Sequence, residues 1–240
     1  MKAFILAAGL GTRLKPWTDT HPKALVPVGG IPMLERIIVR LKTEGFKHIV
    51  VNVHHFASQI TDFLASKNFG IEIMISDERE NLLDTGGAII HAASLLCGDN
   101  EPFLIHNADI LSNANLASLM QHHIEHNADA TLLTSNRPSS RNLLFDSQGR
   151  LRGWKNKTTG ETRGEPGEWP LSLAFSGIHV MNPSLVDLMK EDGYYGKFPI
   201  MDFYLSHTQK ACLQSHNCTD LDLIDIGKPE SLARANSLFC

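Results

Sequence analysis

Short apolar runs alternate with helical stripes along the first 135 residues, and that alternation restricts the fold more than any other feature. Residues 3–6, 48–53, 70–75, 102–106 and 128–134 read as strands, each too short and too apolar for an exposed helix. Between them, residues 32–41 carry Met33, Leu34, Ile37, Ile38 and Leu41 on one helical stripe. Pro32 suits the first turn of that helix, and Gly45 suits its stop. Residues 57–65 repeat the pattern with Ile60, Phe63 and Leu64, and residues 85–96 and 116–126 supply two more helices. Strand–helix alternation of this kind specifies an α/β chain with a largely parallel sheet covered on both faces. Right-handed crossovers then gather the loops after the strands on one edge.

The second half changes character. Residues 143–151 read as a hairpin with a polar turn, and residues 155–170 as a long polar loop or lid. Residues 171–181 form a long apolar strand interrupted at Ser176-Gly177, where a β-bulge is the simplest account. Helices are expected over 183–191, 199–208 and 228–239, and strands over 211–216 and 221–226. No repeat or linker divides the chain, so a single domain is expected.

The first strand runs straight into Gly9-Leu10-Gly11-Thr12-Arg13-Leu14-Lys15. Glycines let a ligand approach the main chain, and successive N–H groups in such a loop form a concavity for an anion. Arg13 and Lys15 add positive charge, and Lys23, fixed after Pro22, lies within reach of the same loop. The spacing matches neither the P-loop nor the dinucleotide fingerprint. A triphosphate-binding turn is therefore one reading, and a plain tight turn is the other.

Composition narrows the partners. The formal net charge of −4 and the lack of a long basic run argue against nucleic-acid binding. No apolar run reaches the ~20 residues of a membrane span, and the N-terminus makes a poor signal peptide. Cys97, Cys212, Cys218 and Cys240 form no Cys-x-x-Cys pair, so reduced thiols in a cytoplasmic protein are expected. His122, His123 and His126 lack a metalloprotease pattern, and a solvent-facing helix is expected there.

Two aspartates stand where chemistry is possible. Asp109 follows the fourth strand, and Asp225 lies in Leu223-Ile224-Asp225-Ile226-Gly227. Carboxylates at strand ends can share one Mg²⁺ and leave positions for phosphate oxygens, or they can merely cap loops. Thr85 can cap the helix it opens, and Gly86-Gly87 leave room for a flat base against the backbone.

The series Leu-Ala-Ala-Gly-x-Gly-Thr-Arg-Leu at 6–14, Pro-Lys-x-Leu-x-Pro-Val at 22–28 and Gly-x-Pro-Met at 30–33 resembles the N-terminal motif of sugar-1-phosphate nucleotidylyltransferases, the nucleotide-sugar pyrophosphorylases. The resemblance implies a three-layer, Rossmann-like (GT-A-like) nucleotidyltransferase fold with a mostly parallel, mixed central sheet. It implies one domain over residues 1–240, with a nucleotide half to about 135 and a sugar-phosphate half over 136–240. It implies transfer of NMP from an NTP to a sugar 1-phosphate, with Mg²⁺ on Asp109 and Asp225 and catalytic roles for Arg13, Lys23, Asp109 and Asp225. Nucleotide contacts fall on Leu6, Ala7, Ala8, Gly9, Gly11, Thr12, Arg13, Thr85, Gly86 and Asn107, and acceptor contacts on Lys23, Ser176 and Gly177.

Two departures stand out. Ala108 replaces the glycine usual before the first aspartate, and the Glu-Lys-Pro motif that holds the sugar phosphate is absent, with Lys157 in Trp154-Lys155-Asn156-Lys157 as a substitute. Residues 175–178 and 224–232 look most like N-acetylmuramate-1-phosphate uridylyltransferases. Mannose- or heptose-1-phosphate guanylyltransferases come next, then choline-phosphate cytidylyltransferases. A catalytically silent nucleotide sensor is the non-enzymatic alternative. The expected partners are NTP and sugar 1-phosphate, in a monomer or small homo-oligomer.

Overall fold

A computed structural model of the chain describes residues 1–239, and Cys240 lies outside them. The first strand, β1 (Lys2–Leu6), leads through three short 3-10 turns to the small ribbon β2 (Pro27–Val28) and β3 (Ile31–Pro32). Then α1 (Met33–Thr43), β4 (His48–Val53), α2 (Ala57–Ala65) and β5 (Glu72–Asp77) alternate as expected. The next helix divides into α3 (Asp84–His91) and α4 (Ala93–Leu96), because the chain tightens at Ala92, whose carbonyl accepts from Leu95 N–H at 2.9 Å. After β6 (Phe103–Asn107) comes β7 (Ile110–Ser112), a three-residue strand too short to carry a periodic signal. The helix α5 (Leu116–Glu125) and strand β8 (Ala130–Ser135) complete the first half.

The hairpin of β9 (Arg141–Phe145) and β10 (Leu151–Asn156) follows, with β11 (Thr162–Gly164) folded back on β10. Part of the expected loop over 155–170 is thus strand. Next come β12 (Leu171–Met181), α6 (Pro183–Glu191), α7 (Ile200–Ser206), β13 (Leu213–Asn217), β14 (Leu223–Asp225) and α8 (Pro229–Phe239).

The spatial order β6-β1-β4-β5 is parallel, and β12 lies antiparallel against β6. On its other edge β12 pairs antiparallel with β8, whose far side takes β13 in parallel. The sheet is therefore mixed, with a parallel section at its nucleotide-motif end. Alternation along each strand feeds two cores. Ala3, Ile5, Ile49, Val51 and Val53 face α1 and α2, while Phe4, Val50 and Ile105 face α3, α6 and α7. Burial on both faces is why these strands read as continuous apolar runs.

His123 departs from the solvent-facing expectation. It is 2 % exposed, with Nδ1 at 2.9 Å from Thr131 Oγ1 and Nε2 at 2.9 Å from Asn182 Oδ1. A histidine can sit in the core when both ring nitrogens are satisfied. Its neighbours His122 and His126 stack on each other, ring centroids 3.8 Å apart. Among the described residues, no helix is long and apolar enough to cross a membrane.

Candidate active site

The carboxyl ends of β1, β4 and β6 meet at one edge, in register: Ile5 lies beside Val51, and Leu6 beside Asn107. From there the chain leaves β1 through Ala7, Ala8 and Gly9. These residues, with Leu6, Lys23, Asn52, Glu78, Thr85, Asn107 and Asp109, line a cavity of about 320 Å³. The parallel strand ends and the apolar runs behind them are what place the opening there.

The turn is not a free nest along its whole length. Ala7 N–H and Ala8 N–H both donate to Asn52 Oδ1, at 2.6 and 3.2 Å. Asn52 Nδ2 in turn donates to Glu78 Oε1 at 2.9 Å. The N–H groups left for an anion are therefore those beyond Ala8. Gly11 adopts φ 65°, and Thr18 Oγ1 donates to its carbonyl at 2.9 Å, which pins the turn from behind. Thr12 and Arg13 lie in the 3-10 turn that follows.

Asp109 sits in the two-residue turn between β6 and β7. Ala108 N–H donates to Leu6 C=O at 3.1 Å, and Ile226 N–H donates to Asp109 C=O at 2.9 Å. These bonds tie the end of β14 to the end of β6, because Asp225 pairs with Ile110 across the β7–β14 ribbon. The two aspartates, 116 positions apart in the chain, are thereby brought together. Lys23 Nζ donates to Asp109 Oδ2. A Cβ placed on Gly227 would lie 2.6 Å from Arg13 Nη2, 2.8 Å from Asp225 Oδ1 and 3.0 Å from Lys23 Nζ. Three charged side chains thus close on one glycine, whose own N–H donates to Asp225 Oδ1 at 2.7 Å.

Among the described residues, no group of three or more His, Cys, Asp or Glu side chains could hold a metal alone. Asp109, which lines the cavity, and Asp225, joined to it through the β7–β14 ribbon, are the residues that would hold a divalent cation such as Mg²⁺, which takes one or two protein carboxylates and fills its shell with water and substrate phosphate. Ala108, in place of the usual glycine, is accommodated at 6 % exposure.

Other expected residues are placed differently. Thr85 does not cap its own helix: its hydroxyl accepts from Ile200 N–H at 2.8 Å and so caps α7. The room expected beside Gly86 and Gly87 is filled. A Cβ on Gly86 would lie 2.2 Å from the Phe198 ring, and one on Gly87 2.0 Å from Gly196 C=O. These glycines serve close packing of α3 on residues 196–198, although Thr85 still borders the cavity. Ser176 is 2 % exposed, and its hydroxyl accepts from Ile178 N–H at 3.1 Å within the β12 bulge. Gly177, at φ 78°, lets the bulge press on Asn107, where a Cβ would meet Nδ2 at 2.6 Å. Neither lines the cavity, and Gly177 backs Asn107, which does. Lys157 is exposed in the turn between β10 and β11 and is not among the cavity-lining residues.

Sequence reading passed over Asn52, Glu78, Leu82 and Lys197, all of which line the cavity. The signal for Asn52 was one polar residue inside an apolar strand. Glu78 is 3 % exposed, and its Oε2 is buried without a hydrogen bond. Burial pushes its carboxyl above the usual range, against the pull of Asn52 and of the Leu83 N–H. A raised carboxyl keeps its proton in the folded state where the unfolded chain has lost it. Its cost to stability therefore grows as pH rises from the unfolded value through the folded one. Glu78→Gln should accordingly melt higher than the parent at about pH 8 and level with it at about pH 4. Melting curves across that range test this, and a difference independent of pH would contradict it.

The family model described as nucleotidyl transferase matches residues 2–240. The N-acetylmuramate alpha-1-phosphate uridylyltransferase of Neisseria meningitidis serogroup B is 36 % identical over 195 residues, 78 % of each chain. The mannose-1-phosphate guanyltransferase of Yarrowia lipolytica is 33 % identical over 195 residues, covering 79 % of this chain and 51 % of that protein. The chain thus spans about half the length of the guanyltransferase. HddC from Yersinia pseudotuberculosis superposes with a TM-score of 0.78 at 24 % identity, covering 100 % of this chain and 99 % of its own. A putative glucose-1-phosphate thymidylyltransferase from Bacillus anthracis gives 0.82 at 21 %, covering 100 % and 95 %. At those identities the two structures establish the fold alone.

Proposed function

Because this chain belongs to the nucleotidyl transferase family, we propose that it transfers NMP from an NTP to a sugar 1-phosphate, giving NDP-sugar and pyrophosphate. The observation that carries this reading is the convergence of Arg13, Lys23 and Asp225 on Gly227, with Asp109 paired to Lys23. An oxygen of the acceptor phosphate attacks the α-phosphorus in line. The bond from that phosphorus to the bridging oxygen breaks, and its electron pair leaves with pyrophosphate. A phosphate monoester is already largely ionised at neutral pH, so the attacking oxygen needs no strong base. The work left to the protein is positioning and charge neutralisation.

In this reading the N–H groups beyond Ala8 cradle the triphosphate, and Arg13 neutralises the departing pyrophosphate. Lys23 leaves Asp109 for a phosphate oxygen. Asp109 and Asp225 would hold Mg²⁺, which supplies charge neutralisation at the reacting phosphates. Glu78 and Asn52 keep the turn at Ala7 and Ala8 in place. The nucleotide occupies the half up to about residue 135, and the sugar phosphate the half after it.

For the acceptor we favour N-acetylmuramate 1-phosphate with UTP, since the Neisseria relative matches 78 % of both chains. Mannose 1-phosphate with GTP is the alternative, on the strength of the guanyltransferase relative. Pyrophosphate release from the four NTPs across a panel of sugar 1-phosphates separates them. UTP with N-acetylmuramate 1-phosphate should lead GTP with mannose 1-phosphate by about 10²-fold in kcat/KM. The reverse order would transfer the assignment. No release from any pair, with NTP binding retained, would make the chain a sensor.

A further inference from the structure

The family's Glu-Lys-Pro motif is absent here, and Lys157, its substitute in the sequence, is exposed in the turn after β10 and does not line the cavity. The β8–β12 edge offers a cation in its place. Arg137 stands just past the end of β8, turned inward against the β12 bulge. Its Nη2 donates to Phe175 C=O at 2.8 Å, and its Nε is buried without a hydrogen bond. It closes no salt bridge among the described residues. Burial disfavours its charge, and the charge that offsets this is Asp225. A guanidinium carries five donors in a rigid fork and stays charged at neutral pH. Holding one half-buried with no ion-pair partner is costly unless an anion arrives.

Its surroundings fix which anion. Phe175 opens the bulge that ends on Gly177, and Gly177 presses on Asn107, which lines the cavity. Asp225, on the far side, converges with Arg13 and Lys23 at Gly227. Arg137 does not itself line the cavity; it stands beside the β12 bulge that backs Asn107, within electrostatic reach of Asp225.

We propose that Arg137 is a substrate-binding residue that grips the phosphomonoester of the acceptor, in place of the missing lysine. The proposal rests on the nucleotidyl-transfer reading above. Arg137 keeps its bond to Phe175 C=O with one edge of the fork and offers the other edge to the phosphate. The loss of this contact is a loss of acceptor binding, so it appears in the KM of the sugar 1-phosphate and not in that of the NTP.

The test uses full-length Arg137→Gln and Arg137→Lys, assayed for NDP-sugar formation with each substrate varied in turn. Arg137→Gln should raise the KM of the sugar 1-phosphate about 30-fold, the worth of a charged hydrogen bond, and leave that of the NTP within about twofold. Arg137→Lys should fall between the two, and it carries the test if the glutamine variant does not fold. N-acetylglucosamine 1-phosphate, which lacks the lactyl carboxylate of N-acetylmuramate 1-phosphate, should suffer the same factor. An unchanged acceptor KM, or both KM values rising together, would overturn the proposal while leaving nucleotidyl transfer intact. A loss confined to the carboxylate-bearing acceptor would also overturn it, because Arg137 would then read the substituent. Failure of the wild-type chain to form any NDP-sugar would overturn both readings.

Discussion

Asp109→Asn and Asp225→Asn should each lower kcat by about 10³-fold, the scale of removing a charge-stabilising group from a preorganised site. The fold should survive, with Asp225→Asn melting within about 2 °C of the parent and Asp109→Asn a few degrees lower. The reason lies in how the two residues are held. Asp109 is anchored through its main chain, by Ile226 N–H on its carbonyl at 2.9 Å, and that bond does not depend on the side chain. Asp225 accepts Gly227 N–H on Oδ1 at 2.7 Å, and the oxygen of an asparagine can do the same. The substitution therefore removes charge and keeps shape. For Asp109 the unliganded state also loses its pairing with Lys23. That pair is mostly buried, 15 % and 19 % exposed, so leaving Lys23 without its partner is what lowers the melting temperature of Asp109→Asn. Steady-state rates at saturating substrate, alongside melting curves, check the two halves of the statement. A variant with near-parental turnover would remove that residue from the chemistry.

The second large effect separates two glycines that lie two positions apart. Gly11→Ala should cost stability and activity together. At φ 65° a side chain meets a penalty of about 1–2 kcal/mol. Its Cβ would also stand 2.8 Å from Thr18 Cγ2 and 2.9 Å from Lys23 Cβ, so Lys23 itself must shift. Gly9→Ala should behave otherwise. Nothing lies within 4 Å of its would-be Cβ, and it borders the cavity. We expect its melting temperature to stay at the parental value while the KM of the NTP rises by about tenfold or more, because the methyl group occupies space the nucleotide needs. Equal melting losses in the two variants, or an unchanged NTP KM in Gly9→Ala, would show that the turn has only a structural purpose.

Much of this was legible beforehand because each signal was local. The strands over 48–53 and the helix over 57–65 fall where the periodicity puts them. The aspartates were visible as carboxylates at strand ends. The long-range pairings were not visible. Nothing near residue 110 or 225 announces the β7–β14 ribbon that joins the two carboxylates. Gly86 and Gly87 read as space for a ligand, yet Phe198 and Gly196 fill it from 112 and 109 residues downstream. Thr85 read as a cap, correctly in kind, but the helix it caps is α7. Glu78 and Lys197 carry no motif, and only the fold brings them to the cavity, as it brings Arg137 against the β12 bulge.

The central claim is that Asp109 and Asp225 share one divalent ion opposite the Gly9–Lys15 turn. Manganese binding, followed by its spin signal in the presence of NTP, tests this without reference to turnover. The parental chain should bind a single ion, and both Asp109→Asn and Asp225→Asn should lose or strongly weaken that signal. Parental affinity in both variants would contradict it.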